Sequence, residues 1–580
     1  MSTNKRTVRA AARRATAFLS ARGGNVGIIF GFAMMPILAT MGSAVDFAKS
    51  ASLRSALQQA TDSAVLTVAG KLTSSTALAD AQNQAQSYIN ANPATKAATV
   101  TTATISTDFT SFCATAQVGF STSFMKLFGV STLTRTVTSC ARTSGGVDSN
   151  TTYEIALVLD NSGSMGESTN GTTKIAALQS AAKNFAATMF SQAPGKVKIS
   201  VVPFASGVVA VDPTVSANRT QSWIDTGAKS SQHWTIFGGA SSAAAAGFTN
   251  RFDVFNALKA QNSSWDWGGC FDPQPYPYNV NDTPPSSAKP DTLLVPFLAP
   301  DEPSNGNYYN NYLSDTGGSC ATAPTDDWSK IARACKYTAP ANSNTTGSCS
   351  RRGGGSTMSY AYGPNGLCPN YTTQMLLQLT ATQTDVTNKL NQLVANGDTN
   401  LHEGFMWGWR SISPNAPFAS GRAYNTTNNR KIVVFMTDGY NNWVNAPGTV
   451  GGSFYESPGY YSFNGAKNVH LPDGGSGDKV DYQTQLAAAN GSSSSSFYGN
   501  SRNALDELTR EACANAKAQG IEIFTIGFSI PADPIDTQGL TLLQACATNS
   551  AHYFAATDVS SFVSAFTQIG TALSHLHLTK

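Results

Sequence analysis

Apolar positions along the chain fall into three patterns, and each predicts a different kind of element. Gly24 to Val45 is a 22-residue run without a charged residue, long enough for a helix to span a bilayer. It continues without a break into Leu53, Leu57, Ala60, Ala64 and Val68, spaced as on one helix face, with Gly70 as the stop. Val- and Thr-rich segments then read as strands up to Cys140. From Tyr153 onward, short solid apolar runs take turns with helical periods. The runs are Tyr153 to Leu159, Val197 to Val202, Lys431 to Met436 and Ile521 to Phe528. Between and after them Ile175, Leu178, Ala182, Phe185 and Met189 keep a helical period, as do Leu505, Leu508, Ala512 and Ala516, and finally Phe562, Phe566, Ile569 and Leu573. Solid apolar strands are buried on both faces, and strands alternating with helices imply a parallel sheet with right-handed crossovers. The expected fold is therefore α/β and doubly wound.

The connections do not fit a plain domain of this kind. The second strand ends near Phe204, and the next regular element, Met375 to Thr380, begins about 170 residues later. A second gap of about 60 residues separates Gly439 from the helix at 502. Ordinary connections run to about 4–6 residues. The two insertions, at about 207–372 and 441–500, are rich in Gly, Asn, Ser, Tyr, Trp and Pro. Disordered segments are poor in aromatics and lack cysteine, whereas the first insertion has five cysteines and the motif Trp265-Asp266-Trp267. An ordered, disulfide-braced lobe over the candidate metal face is expected, with its Trp residues packed inside rather than forming a carbohydrate platform.

Six basic residues, Lys5, Arg6, Arg9, Arg13, Arg14 and Arg22, precede the uncharged run. Basic flanks stay in the cytoplasm, so 1–23 reads as a cytoplasmic tail, 24–46 as a transmembrane helix and the remainder as exported. The expected location is the cytoplasmic membrane, crossed once, with the C-terminal bulk in the periplasm. A cleaved signal peptide competes with this, since Gly42-Ser43-Ala44 offers small residues for cleavage. The run is longer than the roughly 7–15 residues of a signal core and passes straight into a helix, which favours retention as an anchor. The formal charge of +3 less those six leaves about −3, so the exported part is nearly neutral and no nucleic-acid partner is expected.

Nine cysteines agree with an oxidising compartment. Cys113 and Cys140 flank two strand-like runs, and Cys513 and Cys546 sit on predicted helices of the α/β domain. Cys270, Cys320, Cys335, Cys349 and Cys368 lie in the first insertion. The natural grouping is two local pairs, plus two pairs and an odd thiol in the insertion, where connectivity cannot be deduced. No Cys-x-x-Cys spacing occurs, which argues against zinc.

The candidate chemistry sits where the first solid strand stops. Asp160-Asn161-Ser162-Gly163-Ser164 sets a carboxylate and two hydroxyls on one parity, so an extended chain presents all three on the same side. Mg²⁺ prefers oxygen ligands and keeps several waters, so one or two carboxylates with neutral hydroxyls hold it and leave a position open. Alone the motif is a common capped turn. Two later loops add to it: Thr399, between helical patterns at Gly397-Asp398-Thr399, and Asp438, which ends the strand Lys431 to Thr437. In this order and context the five residues resemble the metal-ion-dependent adhesion site of von Willebrand factor type A domains. The resemblance implies that Ser162, Ser164 and Thr399 touch the metal and that Asp160 and Asp438 hold it directly or through water. It also implies that an acidic group of a partner fills the sixth position. Mg²⁺ suits such a site best, with Mn²⁺ and Ca²⁺ as alternatives. One departure is that such domains usually read Gly-Gly-Thr where this chain reads Gly397-Asp398-Thr399.

A closer resemblance covers nearly the whole chain. The basic tail, Gly24-Asn25-Val26-Gly27-Ile28-Ile29-Phe30, Val45-Asp46 before an Ala/Leu/Gln helix, and the Val/Thr strands to Cys140 precede the type A domain. Together with Trp267-Gly-Gly-Cys270, Ala299-Pro-Asp-Glu-Pro303, Gly363-Pro-Asn-Gly-Leu-Cys368 and Trp407-Gly-Trp-Arg410, they are similar to the TadG-like proteins of the tight-adherence (Flp) pilus system. That resemblance implies a small α+β pilin-like region of helix and strands over 47–145. A von Willebrand factor type A domain follows over 150–576, interrupted by the two insertions. Small pseudopilins of that system carry a glutamate five residues past their processing cut; with a cut after Gly24 that position is Ile29, which argues against such processing.

Three functions are compatible with these residues. The leading expectation is a non-enzymatic, membrane-anchored pilus-assembly or adhesion component that binds the carboxylate of a pilus or envelope protein through its metal. A structural envelope scaffold, in which the metal only locks loops, is the second. A metal-dependent hydrolase is the third, with His402 and Glu403 as its only candidate base, although no His-Glu-x-x-His or triad pattern accompanies them. Asp473, Asp478 and Asp481 lack a calcium-loop spacing and read as a solvated acidic loop.

Overall fold

The uncharged run and the helical pattern after it form one helix, α1 (Gly24–Ala69). The computed structural model describes residues 24–579 apart from 70–71, 73–75, 92, 108–110, 144–150, 170, 304–309, 321, 323, 340–362, 367, 444–449, 462–467, 473–481, 483–493 and 575. The basic tail, the Gly70 stop, Cys349 and the acidic loop of Asp473, Asp478 and Asp481 thus lie outside the described residues, as do the side chains of 24–42 that carry the bilayer-span expectation. Among the described residues, no helix is long and apolar enough to cross a membrane.

Two compact units make up the chain, one of Met1–Asp148 with His575–Lys580 and one of Ser149–Ser574. In the first, α1 is followed by α2 (Leu78–Ala91) and a meander of β1 (Thr99–Ile105), β2 (Ser111–Ser121) and β3 (Thr132–Thr143). Strand β2 alternates strictly, with Phe112, Ala114, Ala116 and Val118 buried beneath Leu57, Ala64, Val65 and Val68 of α1. Cys113 and Cys140 face each other in the β2–β3 register and are bridged, as their flanking of two strand-like runs suggested. Helix α2 has no counterpart in the sequence reading, because its buried stripe is only Ala81, Ala85 and Ile89, and alanines barely mark a period. The C-terminal strand Leu576–Thr579, also not anticipated, pairs antiparallel with β3.

The second unit is built on a six-stranded sheet. Its strands are β4 (Thr152–Asp160), β5 (Val197–Phe204), β6 (Leu377–Thr380), β7 (Asn429–Thr437), β8 (Glu522–Phe528) and β9 (Tyr553–Ala556). Their spatial order is β6-β5-β4-β7-β8-β9, and every pair is parallel except β6 on β5. The solid apolar runs are the central strands: β4 lies between β5 and β7 and is buried from Tyr153 to Asp160. Among the helices, α3 (Lys174–Gln192) packs against α4 (Gln383–Asn391) and against the last helix, and α5 (Leu401–Ile412) against α6 (Ser494–Ala518). Helix α7 (Thr537–Cys546) is tied to α6 by the Cys513–Cys546 bridge. In the last helix, α8 (Val559–Ser574), Phe562 stacks on Phe528 of β8 at 4.2 Å, and Phe566 meets Phe185 of α3 edge-on at 6.2 Å. Each such burial stabilises the fold by about 1.5–3 kcal/mol.

Helix α5 has no exposed face; all of its residues are buried, including His402, Glu403 and Arg410. One side lies flat on the sheet because two glycines permit it: a Cβ on Gly404 would come within 2.4 Å of the Phe204 ring, and one on Gly408 within 2.2 Å of Val158 Cγ2. The first insertion shares the same core. Trp267 meets Phe252 and Phe271 edge-on, both at 5.2 Å, and Phe271 contacts Trp407 of α5 at 6.0 Å. The lobe is ordered and braced by Cys270–Cys368 and Cys320–Cys335. Two of its buried charges are paired, Arg251 with Asp272 at 2.6 Å and Lys336 with Asp301 at 2.8 Å.

Three outcomes follow for the second unit, which holds all eight Trp and so reports its own unfolding by fluorescence. Gly408→Ala is expected to lower stability by about 1–3 kcal/mol in urea, because the Val158 methyl is buried in a central strand and cannot yield. Gly499→Ala in α6, with nothing within 4 Å, is expected instead to gain up to about 1 kcal/mol from helix propensity. Burial pushes Glu403 up to about 7 against the pull of Arg410. The folded state then holds a proton that the unfolded chain has lost between its ordinary value of 4.5 and about 7, so this group's contribution falls as pH rises through that window. Glu403→Gln should therefore gain stability relative to the native chain between pH 5 and 7.5, by at most about 1.4 kcal/mol per pH unit; a pH-independent difference would contradict this.

Candidate functional site

Strands β4 and β7 are neighbours in parallel register, Leu159 opposite Met436, so both end at one edge of the sheet. Asp160 and the pair Thr437-Asp438 are delivered there side by side. Asp160 is fully buried, and its two oxygens are used separately: Ser162 N–H donates to Oδ1 at 2.8 Å, and Thr437 Oγ1 to Oδ2 at 2.5 Å. The first bond turns the chain sharply after the strand and starts a short 3₁₀ turn over Gly163–Gly166. That turn brings the Ser162 and Ser164 hydroxyls to 3.1 Å, and Ser164 Oγ donates to Asp438 Oδ1 at 2.8 Å.

The third loop joins through its backbone. Gly397 adopts φ +87°, which favours glycine, and its carbonyl accepts from Gly163 N–H at 2.9 Å. Asp398, the residue at the unusual position, is buried, and its carboxylate accepts from Asn442 Nδ2 at 3.0 Å. Asn442 N–H in turn donates to the Thr399 carbonyl at 2.8 Å, and Asn400 caps α5 through Glu403 N–H. Thr399 Oγ1 lies 3.8 Å from where a Cβ on Gly439 would stand, which places it beside Asp438.

Ser162, Ser164, Thr399 and Asp438 thus line one cleft of about 290 Å³, together with Glu167, Asp398 and Asp533. Asp160 does not line it but holds Ser162 from behind. Among the described residues, none that lines the cleft comes from the first insertion, which the sequence placed over this face. The insertion instead lines an adjoining groove that shares Gly397 with the cleft. The lobe is fastened to α5 by its aromatic core, and α5 leads away from the cleft.

Sequence reasoning missed Lys174. Its side chain is fully buried at the start of α3, with Nζ 2.8 Å from Asp438 Oδ2, 2.7 Å from Asp533 Oδ2 and 3.6 Å from Glu167 Oε2. A cation in a helix's first turn opposes the macrodipole and is misplaced unless acids hold it, which was the available signal. Burial works against its charge, but Asp438 and Asp533 raise its pKa above the ordinary value all the same. Burial and the nearby Asp160 push Asp438 up to about 7 despite Lys174, and burial also raises Asp160 against the bonds from Thr437 and Ser162.

The donor set is three neutral hydroxyls and two carboxylates, all hard oxygens, which suits Mg²⁺. Among the described residues no group of three or more His, Cys, Asp or Glu side chains is arranged to hold a metal. Any cation held here would need the hydroxyls as well as the carboxylates. The hydrolase candidates do not reach the cleft: His402 Nε2 sits 2.8 Å from the Asn279 carbonyl, and Glu403 Oε2 accepts from Trp407 Nε1 at 2.9 Å, both inside the core.

Comparison with known proteins places two family matches on the chain. The Flp pilus-assembly TadE/G-like family matches residues 24–71, and the von Willebrand factor type A domain matches residues 155–250. No curated protein matches. Similar solved structures include the pilus adhesin SpaC from Lactobacillus rhamnosus GG (11% identity, 82% of this chain, 34% of that one, TM-score 0.30). Others are the von Willebrand factor domain of the type V pili tip protein Mfa5 from Porphyromonas gingivalis (11%, 73% and 95%, 0.29) and the pilus adhesin RrgA from Streptococcus pneumoniae (11%, 83% and 49%, 0.31). The chain spans about a third of SpaC. The two family matches agree with the order of elements described above, a long N-terminal helix and then an α/β unit whose first strand ends in Asp160-x-Ser162-x-Ser164. The chain thus carries a TadE/G-like segment over residues 24–71 and a von Willebrand factor type A match over residues 155–250.

Proposed function

We propose that this protein is a non-enzymatic pilus-assembly or adhesion component, held in the cytoplasmic membrane by α1 with its bulk in the periplasm. It captures a protein partner through a divalent cation at the cleft. The observation that carries the reading is the convergence of the Ser162, Ser164 and Thr399 hydroxyls with the Asp438 carboxylate at one cleft, where Asp160 holds Ser162 from behind. Asp160, Ser162, Ser164, Thr399 and Asp438 would hold the cation, Mg²⁺ by preference. A bound cation with an unfilled position supplies a charge for a carboxylate of a pilus or envelope protein. The chain's own residues orient the hydroxyls and keep Asp438 between Ser164 and Lys174. Lys174 doubles as an internal counterion, so that the buried acids are tolerated in the metal-free state.

Loop locking is less well supported as the metal's purpose. The backbone bonds from Gly163 to Gly397 and from Asn442 to Thr399 already tie the three loops together. Turnover is less well supported still, because His402 and Glu403 are buried away from the cleft.

Envelope or pilus proteins captured by the intact chain should be lost with a chelator and with Asp160→Ala. Equal recovery in all three samples removes the cation from the mechanism. Lys174 competes with a cation for Asp438, so Lys174→Met should tighten divalent-cation binding at least about tenfold by titration calorimetry. Unchanged or weaker affinity would show that the lysine supports the cation rather than substituting for it.

A further inference from the structure

Asp46 closes the uncharged run of α1, and its carboxylate does not face water. It accepts backbone N–H bonds from Ser123 at 2.9 Å, Phe124 at 2.8 Å and Met125 at 2.7 Å, in the turn between β2 and β3. Its neighbours on the helix are the reverse: Val45 is 57% and Phe47 66% exposed, while Asp46 is 1% exposed. On the turn, Phe124 is 42% and Val130 37% exposed, and Val130 N–H is bonded to the Met125 carbonyl. Nine large apolar residues are exposed among the described residues, and four of them collect around this one carboxylate. Such gathering marks an interaction surface rather than scattered surface apolarity. Two exposed cations accompany it, Lys126 on the turn and Lys49 on the helix, the latter 5.5 Å from the Phe120 ring centre.

The position of this patch along α1 selects its occupant. Gly24 to Val45 is the apolar length that fits a bilayer, and the patch begins at its last residue on the same continuous helix. A bilayer entered by that run therefore has its boundary within a turn of Val45. Apolar side chains beside amines are what the boundary between acyl chains and phosphates takes up. A bare carboxylate at that depth would be costly, and three N–H donors supply what water would otherwise give it.

We propose that the β2–β3 turn is a membrane-seating surface. Phe124 and Val130, with Val45 and Phe47, enter the headgroup–acyl boundary of the leaflet that α1 leaves, and Lys49 and Lys126 contact lipid phosphates. Asp46 is the clamp that fixes the turn at this height. The first unit is thereby seated on the bilayer instead of swinging from the end of a helix. The proposal rests on α1 being the membrane anchor.

The test uses the full chain with Cys349→Ser, spin-labelled at single introduced cysteines and reconstituted in nanodiscs of phosphatidylcholine and phosphatidylglycerol. Phe124→Cys and Val130→Cys report the turn, Leu38→Cys the anchor and Val215→Cys an exposed site in the second unit. Collision with oxygen relative to a water-soluble nickel chelate should be severalfold higher at 124 and 130 than at 215, and highest at 38. Asp46→Ala should release the turn and lower the ratio at 124 while leaving that at 38 unchanged. If 38 is lipid-buried but 124 matches 215, the seating is wrong and the anchor stands. If 124 is shielded from both reagents, a protein covers the patch and the seating is again wrong. If 38 is open to nickel, the anchor fails and the seating with it.

Discussion

The parallel pairing of β4 with β7 is the constraint on which the second unit depends. Leu159 stands opposite Met436, so two strands more than 270 residues apart in the chain end at the same height and set Asp160 beside Thr437 and Asp438. Had the register slipped by one residue, the acids would have moved to opposite faces. The hydrogen bond from Thr437 to Asp160 is the visible result of that register, and the Ser162 turn and the Ser164 contact with Asp438 follow from it. The burial of β4 on both faces makes the register specific, because its apolar side chains fit in one arrangement only.

Charge sets the second condition. Two carboxylates in a buried corner repel and are desolvated, so both are held above the ordinary range for aspartate. The protein meets this with Lys174, brought in by the start of α3 and shared with Asp533. Two buried carboxylates and a stable folded domain are at odds, and the buried lysine reconciles them. Asp398 raises no comparable problem, since its carboxylate is held by Asn442.

The long insertion is compatible with the domain because it extends the core rather than hanging from it. Aromatic contacts run from Trp267 through Phe271 to Trp407, and α5 is buried on every side as a consequence. This explains why α5, although it carries His402, Glu403 and Arg410, has no solvent-exposed face. It also explains why the lobe stands beside the cleft, since the helix that fastens it starts at the cleft and runs away from it.

Much was legible in the order of residues. The solid apolar runs marked the central strands, the helical periods marked α3, α6 and α8, and the strand ends pointed to Asp160 and Asp438, because burial on two faces and burial on one leave different patterns. Local pairing was legible too, for Cys113 with Cys140 and for Cys513 with Cys546. Other features needed the tertiary structure. Helix α2 buries mostly alanine, and the Cys270–Cys368 bridge joins residues 98 apart, a spacing that no local rule selects. Lys174 looks like a surface residue until Asp438 and Asp533 are folded against it. His402 and Glu403 looked available for chemistry until the insertion closed over α5. The sequence by itself determined which segments become strands and helices and which side chains could serve a cation, since both follow from local spacing and residue chemistry. Only the tertiary structure decided which of those side chains meet and which acids need a lysine, because distance, burial and charge pairing arise between segments far apart in the chain.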